Sequence, residues 1–356
     1  MGAQASDTFD ATVCRIFGAY YDVLVLPEGK ETVRARLRGR LRIAGRKVEE
    51  SWDHIKARHP ILVGDRVTCS GLGQEAVIEA RLERSNELIR SSQYEQQALG
   101  ANLDRAILVM SLIFPDISPG FIDRFLASCH SGGVAPLLLF TKPDLLTEED
   151  AREHAAYFIS LYADLGYDVH ALNLVDPDPE SWEILKAIVS NGISLFAGRS
   201  GTGKSTLLNR LLGTESHLTG EVSESTGKGR HTTTNSMMVR DPLTGAFYID
   251  TPGVKEWGVY HLDKSDILNS FPEFEAAAED CKFKDCKHEP GAEGCAIQEK
   301  IESGGFQGDR LVSLQSMIDS LGIADRIRKG DYIKTTGRMR EGSKYALKNR
   351  PPPNRS

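Results

Sequence analysis

The alternation of apolar and polar positions divides the chain into three stretches. Residues 10 to 90 hold short strand-like runs separated by turn signals: TVCRIFGAYYDVLVL, TVRARLRGRLRI, GDRVTCSG and EAVIEARL. Gly64-Asp65 is a turn pair. The runs predict an all-β unit, and a five-stranded barrel of this size fits an OB-fold. In the second run Arg34, Arg36, Arg38, Arg40 and Arg42 alternate with Ala35, Leu37, Gly39, Leu41 and Ile43. Period two sets five guanidinium groups on one face of a strand. No acid occurs between residues 33 and 47, so this face is expected to contact nucleic acid.

From about residue 100 strands and helices alternate, which predicts a parallel α/β sheet with helices on both faces. RAILVMSLI, APLLLF, YDVHALNL, GISLFAG, SMMVRD and AFYID read as strands. Ser118 before Pro119 is expected to cap a helix that Gly132-Gly133 stops. Thr147 with Asp150 reads as a capping box for a second helix, which ends at Gly166. Beyond about residue 260 the chain is expected to be mostly helical, with a disordered basic tail at KNRPPPNRS.

Charge sharpens this division. The net charge is −7, yet residues 322 to 356 carry ten Lys/Arg against three Asp/Glu. An acidic body with basic segments suggests directed contact with a polyanion. No 18-residue apolar run suggests a membrane span, and MGAQASDTFD does not read as a secretory signal. Six scattered or clustered cysteines do not form a disulfide framework and point to a reducing cytoplasm.

Four motifs carry chemistry. Gly198-Arg199-Ser200-Gly201-Thr202-Gly203-Lys204-Ser205-Thr206 follows a strand and opens an apolar-periodic helix, as a phosphate-binding loop requires. Its backbone N–H groups can cradle phosphate, Lys204 can neutralise the β/γ oxygens, and Ser205 can supply an oxygen to Mg²⁺. Asp250-Thr251-Pro252-Gly253 follows its own strand. There Asp250 can hold Mg²⁺ through water, and the Gly253 N–H can meet a γ-phosphate. The polar loop between them ends at Thr232, Thr233 and Thr234, one of which is expected to ligate Mg²⁺ in an order–disorder switch. Thr141-Lys142-Pro143-Asp144 closes a buried strand. Asp144 can accept both the N1–H and the 2-amino group of guanine, and the Lys142 stem can lie over the base. The base reader thus comes before the phosphate loop, so the GTPase order is circularly permuted. Separately, Cys281, Cys286, His288 and Cys295 offer three thiolates and one imidazole, a closed set suited to one structural Zn²⁺.

The order resembles the circularly permuted GTPases, and the whole layout resembles the ribosome small subunit-dependent GTPase A family. TKPD, GRSGTGKST, GRHTTT, DTPGVKEW and the Cys/His cluster carry the resemblance over nearly the full chain. It implies an OB-fold RNA-binding domain (1–93), a permuted GTPase domain (94–259) and a zinc-binding helical domain with a basic tail (260–356). It also implies GTP hydrolysis to GDP and phosphate, with Mg²⁺, coupled to late maturation of the small ribosomal subunit. The partners would be that subunit and its rRNA, with no membrane, and the chain would act as a cytoplasmic monomer. The sequence departs from the pattern at three places. Thr141 stands where Asn is commoner, the loop backing the base near Ala171-Leu172-Asn173 lacks its usual residues, and the last metal gap is one residue longer. Val254 replaces the water-orienting Gln that many GTPases place after this glycine, so intrinsic hydrolysis should be slow. The resemblance points to His231 as the catalytic substitute. The alternative is a nucleotide-gated RNA-binding scaffold with negligible hydrolysis.

Overall fold

The computed structural model describes residues 8–27, 31–39, 60–71, 75–92, 96–213, 236–251, 253–284, 286, 288 and 291–328. Five strands form the N-terminal barrel: β1 (Thr8–Phe17), β2 (Tyr20–Val25), β3 (Thr32–Leu37), β4 (Arg66–Ser70) and β5 (Ala76–Arg81). Their order is β1-β2-β3-β5-β4, and a β1–β4 pairing closes the ring. Inward-facing Val13, Val23, Val33, Ala35, Val67 and Ile78 fill it. The period-two reading holds across β3: Val33, Ala35 and Leu37 are buried, while Arg34 and Arg36 are exposed. Arg40 and Arg42 lie outside the described residues.

The acid-free character of that face is corrected by the fold. Arg34 lies 3.8 Å from Asp22, Arg36 lies 2.7 Å from Glu75, and Arg38 contacts Glu79. Charge along one strand does not fix the charge of a sheet face, because cross-strand neighbours complete it. Aromatic rings join the same surface. Phe17 stacks on Tyr20 at 5.9 Å, with Arg34 5.0 Å from the Phe17 centroid and Arg36 4.6 Å from that of Tyr20.

A hairpin that no strand-like run in the sequence marks, β6 (Glu87–Ser91) with β7 (Gln96–Ala101), precedes the central sheet. That sheet runs β10 (Asp168–Leu172), β9 (Pro136–Thr141), β8 (Arg105–Ser111), β11 (Ile193–Ala197), β13 (Phe247–Asp250), β12 (Met237–Arg240). The first five strands are parallel, and β12 is antiparallel. Their near-continuous apolar runs are what a sheet covered on both faces needs. On β8, Ala106, Leu108 and Met110 enter one core with helix α1 (Pro119–Gly132) and helix α2 (Glu149–Asp164), while Ile107 and Val109 enter the other. Helices α3 (Pro179–Val189) and α4 (Lys204–Leu212) cover that second face. The barrel joins the sheet through a β1–β12 pairing, Arg15 opposite Met237.

Two expected caps differ. Ser118 sits at the N-cap of α1 but its side chain makes no cap bond, and Pro119 opens the helix instead. α2 begins at Glu149 with Glu148 at its N-cap, so Thr147 falls one residue too early to close a capping box.

C-terminal to the sheet, four helices follow: α5 (Lys264–Asn269), α6 (Pro272–Ala278), α7 (Ala296–Glu302) and α8 (Gly308–Arg328). They extend the α1 core through Phe271, Phe274, Leu311 and Leu314. Trp257, 2% exposed, bridges the two regions and donates from Nε1 to Ser128 Oγ at 2.8 Å. No described helix is long and apolar enough to cross a membrane.

Candidate nucleotide site and metal cluster

The strand order reverses between β8 and β11, where β8 leads outward through β9 while β11 starts the other half. Parallel sheets open a crevice for ligands at such a point, beyond the carboxyl ends of the strands. Three sequence motifs converge there. The phosphate loop follows β11, Thr141-Lys142-Pro143-Asp144 ends β9, and Asp250 ends β13.

The loop's glycines are required by position. Gly203 caps α4 at φ +94°, a conformation that favours glycine. At Gly198 a Cβ would lie 2.4 Å from the Val109 carbonyl oxygen, so no larger residue fits. Lys204 is 8% exposed and its ammonium contacts the Asp250 carboxylate. One ammonium and one carboxylate therefore face one point. Arg199 and Ser205 are half-buried, Thr202 is buried, and Ser200, Gly201 and Thr206 are exposed. A Cβ on Gly253 would stand 3.5 Å from the Ser200 nitrogen, which puts the second motif against the first. Val254, 1% exposed, donates its N–H to the Gly198 carbonyl at 3.1 Å. Its side chain belongs to the core and has no reach to a water molecule.

Thr141 ties the base-side loop to the phosphate loop. It is fully buried, and Oγ1 donates to the Thr202 carbonyl at 2.7 Å, with the Met110 carbonyl at 3.2 Å. Those two bonds fix the end of β9 against the loop that follows β11. Thr141→Ala would leave the Thr202 carbonyl short of a buried partner, a loss of about 1–3 kcal/mol. Nucleotide affinity should fall roughly tenfold, with Thr141→Ser close to the parent. Titration of a fluorescent GDP analogue checks this.

Beyond Thr141, Lys142 adopts φ +63° and its Nζ donates to the Phe114 carbonyl at 2.6 Å. That bond holds the lysine stem across the crevice mouth. Pro143 and Asp144 begin a single 3₁₀ turn ending at Leu145, with Asp144 exposed. Nothing in the sequence marks Phe114, because its contribution is a carbonyl and any residue supplies one. The turn after β10 carries no such motif either. Here Leu174 packs against Gly203, while Asn173 Oδ1 accepts from Val175 N at 2.9 Å and Asp176 N at 3.3 Å. An asparagine-initiated turn is the signal that marks it. His231, Thr232 and Thr233 lie outside the described residues.

At the other end of the chain, Cys281, Cys286, His288 and Cys295 come together. Their ligand atoms all lie within 4.8 Å of one another. His288 Nδ1 is 3.6 Å from Cys281 Sγ and 3.5 Å from Cys295 Sγ. A tetrahedral site with metal–sulfur bonds near 2.3 Å and metal–nitrogen bonds near 2.1 Å has edges of about 3.6 Å, so the donors fit one ion. His288 sits at φ +57°, and its carbonyl accepts from Gln298 Nε2 at 2.7 Å and Gln315 Nε2 at 2.8 Å. Two C-terminal helices thus orient the ligand.

Residues 81–260 match the family model of the RsgA GTPase. The small ribosomal subunit biogenesis GTPase RsgA of Haemophilus influenzae (strain 86-028NP) is 37% identical over 269 residues, 73% of this chain and 75% of that one. Among solved structures, YjeQ from Thermotoga maritima is 26% identical, with a TM-score of 0.65 over 88% of this chain and 98% of that one. YloQ, a circularly permuted GTPase, is 22% identical, with a TM-score of 0.63 over 90% and 98%, and shares the fold. With base reader, phosphate loop and acidic motif on one sheet edge in permuted order, and a relative of this identity across most of its length, the chain belongs to the RsgA GTPase family.

Proposed function

We propose that this GTPase binds the small ribosomal subunit and hydrolyses GTP to GDP and phosphate during late maturation of that subunit, with turnover raised by the subunit. The observation that carries the reading is the Thr141–Thr202 bond, which couples a guanine-reading loop to a phosphate loop lying 57 residues later in the chain. Relatives named as small ribosomal subunit biogenesis GTPases support the choice of partner.

In this reading Thr141, Lys142, Pro143 and Asp144 hold guanine. Residues Gly198 to Thr206 hold the phosphates, and Gly253 senses the γ-phosphate. Ser205, Asp250 and Thr232 or Thr233 hold Mg²⁺, which supplies charge neutralisation between the β- and γ-phosphates. Lys204 neutralises phosphate oxygens from its nearly buried position. With Val254 locked in the core, water must be positioned by another group, and His231 takes that role when the subunit is bound. The half-buried rings of Phe17 and Tyr20 beside the exposed Arg34 and Arg36 on the barrel support contact with rRNA, since rings take stacked bases and guanidinium groups take phosphates. Residues 1–93, 94–259 and 260–356 act as barrel, GTPase and metal-bearing helical domains of a cytoplasmic monomer.

The metal is Zn²⁺, because three thiolates and one imidazole in a closed tetrahedron favour it. One zinc per chain is expected by elemental analysis. Chelation should expose residues 281–295 to protease while GTP binding largely survives, because no nucleotide motif draws on that segment. Metal-free protein with the same protease resistance would overturn the assignment.

GTP turnover alone, with small subunits and with large subunits tests the function. Stimulation by small subunits only is expected. Turnover unchanged by either would favour the gated scaffold, for which the buried Val254 is the supporting feature.

A further inference from the structure

A cleft of about 1140 Å³ opens beside the nucleotide site. Five parts of the fold wall it: the β6–β7 hairpin, the start of α1, the phosphate loop, the strap from Gly253 to Tyr260, and α8. Arg90, Arg124, Arg199 and Lys255 line it against one carboxylate, Glu256. Serine hydroxyls of the hairpin, α1 and α8 complete the wall.

Two of these cations are set in place. Arg90 donates to Gln97 Oε1 at 2.9 and 2.6 Å and to the Glu256 carbonyl at 3.4 Å. Arg124 donates to the Gly120 carbonyl at 2.9 Å and to Ser316 Oγ at 2.8 Å. The Arg124 acceptors are neutral, so its guanidinium is fixed without being neutralised by them. Arg124, Arg199 and Lys255 make no ion pair among the described residues. A pre-oriented cation costs little further entropy on binding an anion. Of the cleft's three rings, Trp257 and Phe121 are 2% and 7% exposed and offer no face for a base, and Tyr260 is half-buried. Four cations against so little open ring make a wall that reads chiefly phosphate.

We propose that this cleft takes the sugar–phosphate backbone of an RNA strand and that its occupancy is felt at the GTP site. The inference rests on the small subunit being the partner. Occupancy reaches the nucleotide because the walls are nucleotide elements. Arg199 belongs to the phosphate loop, and the strap starts at Gly253 against Ser200. The strap is bound along its length to the hairpin. Ser91 N donates to the Gly258 carbonyl at 2.9 Å, and His261 N donates to Ser91 Oγ at 3.1 Å. A Cβ on Gly258 would lie 1.9 Å from the Ser91 carbonyl oxygen, so the two backbones are in contact. An RNA strand held by Arg124 and Lys255 would therefore fix the strap on which Gly253 sits.

The test is the salt dependence of small-subunit binding by the full-length protein and by Arg124→Gln/Lys255→Gln. Each lost phosphate contact removes about 0.7–0.9 from the slope of log K against log salt. The double variant should lose roughly 1.4–1.8 in slope and most of the subunit stimulation at low subunit concentration, with turnover alone unchanged. Arg152→Gln/Lys186→Gln, with the same charge change on exposed positions of α2 and α3, should keep the slope. A parent protein that fails to bind small subunits would overturn the proposed function and this inference with it. A parent that binds, with an unchanged slope in the variant, would overturn this inference alone. Tripolyphosphate binding to the GDP-loaded protein that depends on Arg124 and Lys255, with subunit binding unaffected, would make the cleft a small-anion site and also overturn it.

Discussion

Asp144→Asn should abolish the preference for guanine over adenine nucleotides. The parent carboxylate can accept two hydrogen bonds from one edge of guanine, N1–H and the 2-amino group. Bonds to a charged group contribute about 1.5–3 kcal/mol each, so losing the pair weakens GTP by roughly 10²–10⁴-fold. The amide does worse than a simple deletion, because its N–H₂ group turns donors toward donors. Xanthine carries a carbonyl where guanine carries the amino group, so XTP should gain on GTP in the variant. Asp144 is exposed at the start of a 3₁₀ turn and Lys142 donates to Phe114 rather than to it, so the fold should not change. Competition between GTP, XTP and ATP for the labelled-GDP complex, with a thermal melt as control, measures this. A variant that keeps its preference for GTP would remove Asp144 from the base site.

Much of this site was legible in the sequence because its chemistry is carried by short contiguous segments. A phosphate loop needs glycines and a lysine at fixed spacing, and the strand before it and the helix after it are apolar patterns that survive translation into structure. The same holds for TKPD and for the Cys/His cluster, whose four donors fall within 15 residues. What stayed hidden depends on positions brought together from far apart. The acids facing Arg34, Arg36 and Arg38 come from β2, from β5 and from the residue before β5, and no reading of β3 alone supplies them. The β6–β7 hairpin is not marked in the sequence because its strands are short and partly polar, with only Leu88, Leu99 and Ala101 carried into the core and a backbone bond from Ser91 to the Gly258 carbonyl. Gly258 itself looks like any loop glycine until Ser91 is placed beside it. The barrel was the reverse case, since alternation along β3 predicted which side faces the core and the core confirmed it.

Arg310→Met should destabilise the protein more than any surface change, because Arg310 holds the buried Asp123 and the half-buried Glu273 with a single charge. Its guanidinium, 2% exposed, contacts Asp123 of α1 at 2.5 Å and Glu273 of α6 at 2.8 Å, and lies 4.1 Å from the Phe271 centroid. Tyr162 of α2 donates to the same Asp123 oxygen at 2.9 Å. The arginine therefore ties α8 to the helices that flank the sheet. Both acids hold its charge in place and push its pKa up despite burial. Removing one partner of a buried pair costs about 3–5 kcal/mol, since the remaining charge keeps its desolvation penalty. Methionine fills much of the volume, so the loss is mainly electrostatic. Asp123 gives the loss a pH dependence. Burial raises its pKa above the usual carboxylate value, with Arg310 opposing that rise. A folded-state pKa above the unfolded one means the native state binds the proton more readily, so this group's stabilising share is complete below the unfolded carboxylate pKa and is lost as pH rises through the folded one. Without Arg310 the folded pKa of Asp123 climbs further. The deficit of Arg310→Met should thus be largest near neutral pH and shrink as pH falls toward the carboxylate range. Asp123→Asn/Arg310→Met, with one buried charge fewer, should recover part of the stability at neutral pH. Urea unfolding of the three proteins across pH decides it. A deficit that is small, or that stays flat with pH, would mean the two acids find other partners.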